Sequence, residues 1–204
     1  MKLGFFEQFY VNGFIRAALH QPWVVRWFQR QVPLEKGAEV LEIGCGRGVG
    51  LRLLAKYVEP YAIYAIDFDP RQVQRSQENA RTTTPLPQVT QGDAARLVYQ
   101  NRSFHGVYSF GAVHHVPDWE KALLEIHRVL RDGGYIYLEE FYRGFLHHPV
   151  VRWLAPHPSD RFSHRDLLEA LTNMGFEIKA QRQVVPGCYG LIIAQKTPEP
   201  APGV

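Results

Sequence analysis

The chain has 204 residues, 46% of them apolar and 21% charged, with a formal net charge of +3. That length suits one domain with a full sheet covered by helices, and the composition is that of an ordinary soluble globular protein. The small positive charge gives no electrostatic case for nucleic acid, and two cysteines, Cys45 and Cys188, exclude a disulfide scaffold or a cysteine-only metal site.

In chain order, MKLGFFEQFY has an early acid and no long apolar core, so no secretory signal is expected. Residues from about 4 to 32 read as helix, with Pro22 suited to a first helical turn. AEVLEI (38–43) reads as a buried strand and LRLLAKYV as a helix; YAIYAID (61–67) is a second strand, after which Pro70 opens a polar helix to about Ala80. TTTPLP is a loop, PQVTQGD holds a short third strand ending near Gly92, and HGVYSFG (105–111) is the fourth. A helix over 118–130 carries apolar residues at Ala122, Leu123, Ile126, Val129 and Leu130, a helical period. Asp132-Gly133-Gly134 reads as a turn, YIYLEEF as the fifth strand, and FSHRDLLEALTNMG as a helix capped by Ser163 and ended by Gly175. FEIKAQRQVV and CYGLIIAQK flank Pro186-Gly187 as an antiparallel hairpin.

The alternation predicts an α/β, doubly wound, mostly parallel seven-stranded sheet ending in an antiparallel hairpin. One domain over 1–197 is expected, with a helical lid (about 4–32), an insertion (about 142–162) and a disordered proline-rich tail (198–204). No apolar stretch approaches the ~20 residues that span a bilayer, and the cysteine usage points to a reducing, cytoplasmic location. The Asn101-Arg102-Ser103 triplet is then read as chance.

VLEIGCGRGVG (40–50) places four glycines at every second position after an apolar strand, at the switch point where open α/β sheets hold ligands. A phosphate-binding P-loop needs a lysine and Ser or Thr after its last glycine, but Gly50 is followed by Leu51-Arg52. A dinucleotide fingerprint wants a third glycine where Val49 stands, so that option is weak. An acid two residues before the first glycine, followed by alternating glycines, is the remaining pattern.

Glu42-Ile43-Gly44-Cys45-Gly46-Arg47-Gly48 resembles the first motif of the class I S-adenosylmethionine-dependent methyltransferases. Asp67 is similar to their ribose-binding acid and Gly92-Asp93-Ala94 to the segment that meets the adenine amino group. SFGAVHHVPDWEKALLEIHRVLRDGGYIYLEE is similar to their stretch from the fourth to the fifth strand, and the likeness covers most of the chain. It implies S-adenosylmethionine as cofactor, held by Glu42, Gly44, Cys45, Gly46, Asp67, Phe68, Asp93, Ala94, Ser109 and Phe110. The chemistry agrees: glycines admit the ligand close to the backbone, Asp67 offers acceptors to two hydroxyls, and Phe68 offers a face to adenine. Plainer roles compete, with Asp67 closing the turn before Pro70, Phe68 in the core and Asp93 capping a following helix.

Methyl transfer from a sulfonium needs alignment and water exclusion, and a base only where the acceptor loses a proton. His114, His115 and Glu140 are the candidate catalytic residues; the alternative is that the histidines only support their loop. Tyr10 and the insertion are a candidate lid. Glu139 and Glu140 alternate faces, so at most one enters any given site. A metal site from His114, His115, His147 and His148 would need convergence that adjacent pairs rarely give, and no metal is expected.

Ser109-Phe110-Gly111-Ala112 replaces the motif of nucleic-acid amino methyltransferases, and no dense basic patch is present, so the expected partner is a small molecule and not nucleic acid. Phe5, Phe6, Phe9, Trp23, Trp27 and Trp153 with Arg16, Arg26, Arg143 and Arg152 would suit a hydrophobic or aromatic acceptor, or else fill core and interfaces. The overall pattern resembles the ubiquinone/menaquinone-type and related small-molecule methyltransferases, departing at His105, where relatives usually carry aspartate. The same N-terminal segment motivates a second option, a quinone or lipid methyltransferase at a membrane surface; a third is a non-catalytic cofactor-binding protein.

Overall fold

The computed structural model describes residues 21–146 and 162–198. Of the helix expected over 4–32, Gln21–Gln31 (α1) falls within them. Tyr10, residues 147–161 of the insertion and 199–204 of the tail lie outside.

The elements that follow are β1 (Glu39–Ile43), α2 (Val49–Tyr57), β2 (Ala62–Asp67), α3 (Pro70–Ala80), β3 (Gln88–Gln91), β4 (Phe104–Phe110), α4 (Trp119–Val129), β5 (Leu130–Phe141), the short α5 (Arg143–Leu146), α6 (His164–Asn173), β6 (Phe176–Val185) and β7 (Tyr189–Lys196). A 3-10 turn, Val113–His115, follows β4. The seven strands are ordered β3-β2-β1-β4-β5-β7-β6. Strands β1 to β5 run parallel, and β7 is antiparallel to both β5 and β6. This is the predicted doubly wound sheet with its C-terminal hairpin. The chain steps outward from β1 to β2 and β3, then crosses back to β4 on the other side, which opens a crevice at the carboxyl ends of β1 and β4.

Period-two alternation sorts the strand residues into two cores. Leu41, Ile43, Val107, Ile136 and Leu138 face Ala122, Leu123, Ile126 and Val129 of α4 and Leu167 and Leu171 of α6. Val40, Tyr108, Tyr137 and Leu191 face Val24, Val25 and Phe28 of α1 and Leu51 and Leu54 of α2. Helix α6 starts in a full capping box, Ser163 accepting from Asp166 N and the Asp166 carboxylate accepting from Ser163 N.

One boundary differs from expectation. Asp132-Gly133-Gly134 lies inside β5, because the register jumps from Phe104↔Leu130 to Gly106↔Tyr135 and pairing resumes past the irregularity. Gly133 has φ +75°, a left-handed backbone that lets the strand absorb the extra residues. Among the described residues no helix is long and apolar enough to cross a membrane.

Phe28 anchors α1: it is fully buried and its ring lies 5.5 Å from Tyr137 and 6.4 Å from both Tyr108 and Phe110. Phe28→Ala should therefore lower stability by about 3–5 kcal/mol in urea unfolding. A loss under about 1 kcal/mol would mean that α1 does not close this face.

Candidate active site

A cavity of about 320 Å³ opens at the carboxyl ends of β1, β2 and β4. Of the residues singled out in the sequence, Gly44, Gly46, Asp67, Phe68, Asp93, Ala94, Phe110 and His115 line it; Glu42, Cys45, Ser109, His114 and Glu140 do not.

The glycine loop is fastened to the end of β2. Gly44 N and Cys45 N both donate to Ile66 O, at 2.9 and 3.0 Å. Gly46 N donates to Asp67 Oδ2 at 2.8 Å, and Asp69 N donates to Asp67 Oδ1 at 2.9 Å. Asp67 thus closes the turn before Pro70 and still faces the cavity, each oxygen keeping a lone pair. Burial raises its pKa against the pull of those N–H groups. At Gly44 (φ +67°) a Cβ would collide with Ala112, so the loops after β1 and β4 meet only because this residue is glycine.

Phe68 is 61% exposed at the cavity wall, which removes the core role considered for it. Asp93 caps no helix, since the chain after β3 stays a turn: Asp93 Oδ1 accepts from Ala95 N at 2.9 Å and Arg96 N donates to Asp93 O.

Glu42 lies beneath the loop, 2% exposed, with Oε2 unpartnered among the described residues. A Cβ on Gly50 would overlap its carboxyl, so the fourth glycine of the run serves packing. Burial and then the nearby Asp67 charge push its pKa well up. Cys45 is buried beside Ser76, and burial pushes its thiol up, which makes it a filler and not a nucleophile.

Glu140 organises the loop after β4. Its Oε1 accepts from Val113 N at 3.0 Å and Ser109 Oγ at 3.1 Å; Oε2 accepts from His114 N at 3.4 Å and lies 2.7 Å from His114 Nδ1. Three donors and the His114 ring nitrogen around one fully buried carboxyl fix Val113–His115, so Glu140, Ser109 and His114 form a strut behind the cavity wall and His115 is the histidine on it. Burial outweighs those hydrogen bonds and pushes Glu140 up to about 8. Glu139, on the opposite face, accepts from Tyr189 Oη at 2.9 Å.

Of the aromatic and arginine residues considered for an acceptor pocket, Trp23, Trp27, Arg26 and Arg143 are described, and they take the core and interface role that was the alternative. Trp23 and Trp27 pack on the α1 core, Arg26 donates to Tyr57, Arg182 stacks over Trp23, and Arg143 pairs with Asp166. Phe5, Phe6, Phe9, Arg16, Arg152 and Trp153 are outside the described residues, as are His147 and His148. Among the described residues no three His, Cys, Asp or Glu converge as metal ligands would. His105 sits at the other end of β4, accepting from Glu39 N at its Nδ1, so the departure at this position does not reach the cavity. Sequence reasoning missed Gln72, Val116 and Pro117, which also line the cavity. The last two directly follow His115; Gln72 shares a buried stripe with Ser76 and Ala80 at intervals of four on an otherwise polar helix.

Sheet order, glycine loop and cavity together define the fold of the class I S-adenosylmethionine-dependent methyltransferases. Residues 41–138 match the family model described as a methyltransferase domain. It is 33% identical over 100 residues to the phthiotriol/phenolphthiotriol dimycocerosates methyltransferase of Mycobacterium leprae, covering 49% of this chain and 36% of that protein. It is 27% identical over 171 residues to the sterol 24-C-methyltransferase erg-4 of Neurospora crassa, covering 72% and 42%. The chain thus spans less than half the length of either relative. In fold it is similar, with a TM-score of 0.77 and 21% identity, to a chain of the complex between the Haloferax volcanii Trm112 methyltransferase activator and a methyltransferase, covering 95% of this chain and 98% of that one. S-adenosylmethionine is the cofactor that this class of domain implies, and the cavity fits it: alternating glycines, a half-buried acid with free lone pairs and an exposed aromatic ring line it together.

Glu140 also gives a pH test. Its folded pKa of about 8 lies above the ordinary 4.5, so the folded state retains a proton that the unfolded chain releases. The stability this contributes is complete below about pH 4.5 and is lost as pH rises through about 8. Unfolding free energies from urea titration should fall across that window, by on the order of 1–3 kcal/mol once the proton is shared with His114, and Glu140→Gln should flatten the slope. An equal slope in the variant would assign the titration elsewhere.

Proposed function

We propose that this chain transfers a methyl group from S-adenosylmethionine to a small, hydrophobic or aromatic molecule, in the cytoplasm. The observation that carries the proposal is the single cavity bounded by the glycine loop, Asp67, Phe68, Asp93 and His115. On this reading Asp67 accepts the ribose hydroxyls, Phe68 packs on adenine, Asp93 accepts from the adenine amine, and the backbone of Gly44 and Gly46 borders the amino-acid part. When bound, the cofactor supplies an already activated methyl group for in-line displacement.

The chain's residues then have three tasks. Phe110, Val116 and Pro117 exclude water from the reacting end of the cavity. The strut of Glu140, Ser109 and His114 holds the loop that carries His115. His115 takes the acceptor's proton where the nucleophile must lose one. A hydrophobic acceptor is supported by the names of the two curated relatives, one a dimycocerosates and the other a sterol methyltransferase. A quinone, the finer likeness in the sequence, belongs to the same class of acceptor, and nucleic acid does not.

Transfer of a labelled methyl group to a panel of hydrophobic acceptors tests the activity. Product with any of them is expected, and cofactor binding without transfer to any would leave a binding protein. Sedimentation with anionic vesicles at low salt separates a dissolved acceptor from one met at a membrane surface. Asp67→Ala should weaken S-adenosylhomocysteine binding by about 1–3 kcal/mol in calorimetry, the cost of leaving ligand hydroxyls unpaired; unchanged affinity would contradict the ribose role. His115→Ala should lower turnover more than cofactor affinity, whereas full activity would return His115 to a supporting role.

A further inference from the structure

The basic side chains are not spread evenly over the fold. Helices α1, α2 and α3 lie side by side over one face of the sheet, burying Phe28, Leu51, Leu54 and Ala80 in one core. Their outward sides carry Arg26, Arg30, Arg52, Lys56, Arg71 and Arg75, all exposed, against a single acid, Glu78. Each helix supplies one basic pair at a spacing of four, so both members project from the same side. Helices α4 and α6, over the other face, carry three basic and four acidic residues, and Arg128 pairs with Glu125 and Arg165 with Glu169. Among the described residues, none of the six cations on α1–α3 forms an ion pair. Two of them gather at one ring instead, Arg26 4.9 Å and Lys56 5.3 Å from the centre of Tyr57. The sequence conceals this layer, because only the fold brings the three pairs onto one surface.

Like charges four apart on a helix repel, and soluble surfaces ordinarily intersperse the two signs. An anionic surface laid against the layer turns that repulsion into attraction. Three neighbouring helices of 9 to 11 residues spread the charges over an area of roughly 15 by 30 Å. Half-buried Trp23, Trp27 and Tyr57 lie among them, and exposed Arg182 extends the layer by stacking over Trp23 at 5.3 Å. Tryptophan and tyrosine between cations suit a membrane–water boundary, where the rings sit at headgroup level and the cations meet lipid phosphates. Nucleic acid asks instead for a positive groove or for an element that enters one. The layer also adjoins the cavity, since Asp69 and Gln72, on either side of Arg71 in the chain, line it. We propose that the outer surface of α1–α3 docks on an anionic phospholipid bilayer and brings the cavity to a hydrophobic acceptor held in lipid. Delivery of the acceptor rests on the function proposed above; the docking does not.

The test is co-sedimentation of the full chain with phosphatidylcholine vesicles, with and without about one-third phosphatidylglycerol, at low salt. Wild type should sediment with the anionic vesicles only and be released as salt is raised. The double variant Arg52→Gln/Arg75→Gln should partition roughly twentyfold more weakly, about fivefold for each charge removed. Lys121→Gln/Arg165→Gln removes the same charge from α4 and α6 and should stay within about threefold of wild type. Equal losses in the two variants would mean that net charge alone acts, and would overturn the proposal. So would a wild type that ignores anionic vesicles at low salt, which leaves the methyl-transfer reading standing. Retention of duplex RNA without vesicle binding at the same salt would assign the surface to nucleic acid instead. Vesicle binding through this layer by a chain that methylates no acceptor would sink the proposed function and keep the docking surface.

Discussion

The ligand end of this sheet depends on the Asp67 carboxylate. Strands β1 and β2 end in register, Ile43 opposite Ile66, and beyond that point no ladder holds the two chains together. Ile66 O takes Gly44 N and Cys45 N, and the next donor, Gly46 N, reaches Asp67 Oδ2. The other oxygen takes Asp69 N and sets the turn from which α3 starts. A neutral side chain at this position could not accept from both loops and still present acceptors to the cavity. Burying the charge raises its pKa, and the two backbone donors are what make an ionised carboxylate tolerable there.

Glu140 does the corresponding work between β4 and β5. Strand parity puts it on the same face as Ser109, and Ser109 Oγ bridges Glu140 to Ala112 N. The carboxyl then meets the first two N–H groups of the 3-10 turn, donors that such a turn leaves without partners of its own. The His114 ring is drawn inward to Oε2, and in so tight a turn the next side chain, that of His115, goes to the cavity. Both cavity-bordering loops are thus held by a carboxyl standing at or near a strand end, one in the cavity wall and the other behind it.

Much of this was legible in the sequence, and the exceptions have physical causes. Apolar runs ending in acids or glycines marked the parallel strands, Pro70 marked the start of α3, and Ser163 marked α6, because each signal is local. The full length of β5 was not legible: Asp132-Gly133-Gly134 has turn composition, and only pairing with β4 and β7 continues the strand through it. Nor does composition distinguish His114 from His115 as the cavity residue, since that choice is made by Glu140, 26 positions away from His114. Asp93 lies on the cavity, and the helix-capping role weighed against that is absent, because the stretch after it folds back within three residues. Gln72 was hidden by the polarity of α3, where one buried amide looks like any other glutamine until the helix is docked.

The shell around the cavity is therefore polar and dry at once. Glu42, Asp67 and Glu140 are all shifted upward by burial, and Glu42 Oε2 and Gln72 Oε1 lack partners among the described residues. A chain selected for stability alone would replace several of these groups with apolar ones of the same size. A ligand bound by the folded state alone offsets that cost by mass action. The strain is also unevenly spread: Gly44 and Gly50 leave room only because they have no side chain, so the loop sits close against Ala112 on one side and Glu42 on the other. Rigidity at the cavity thus comes from close approach and from acceptor geometry, and both are fixed before any ligand enters, which is the preorganisation that alignment of a displacement reaction requires.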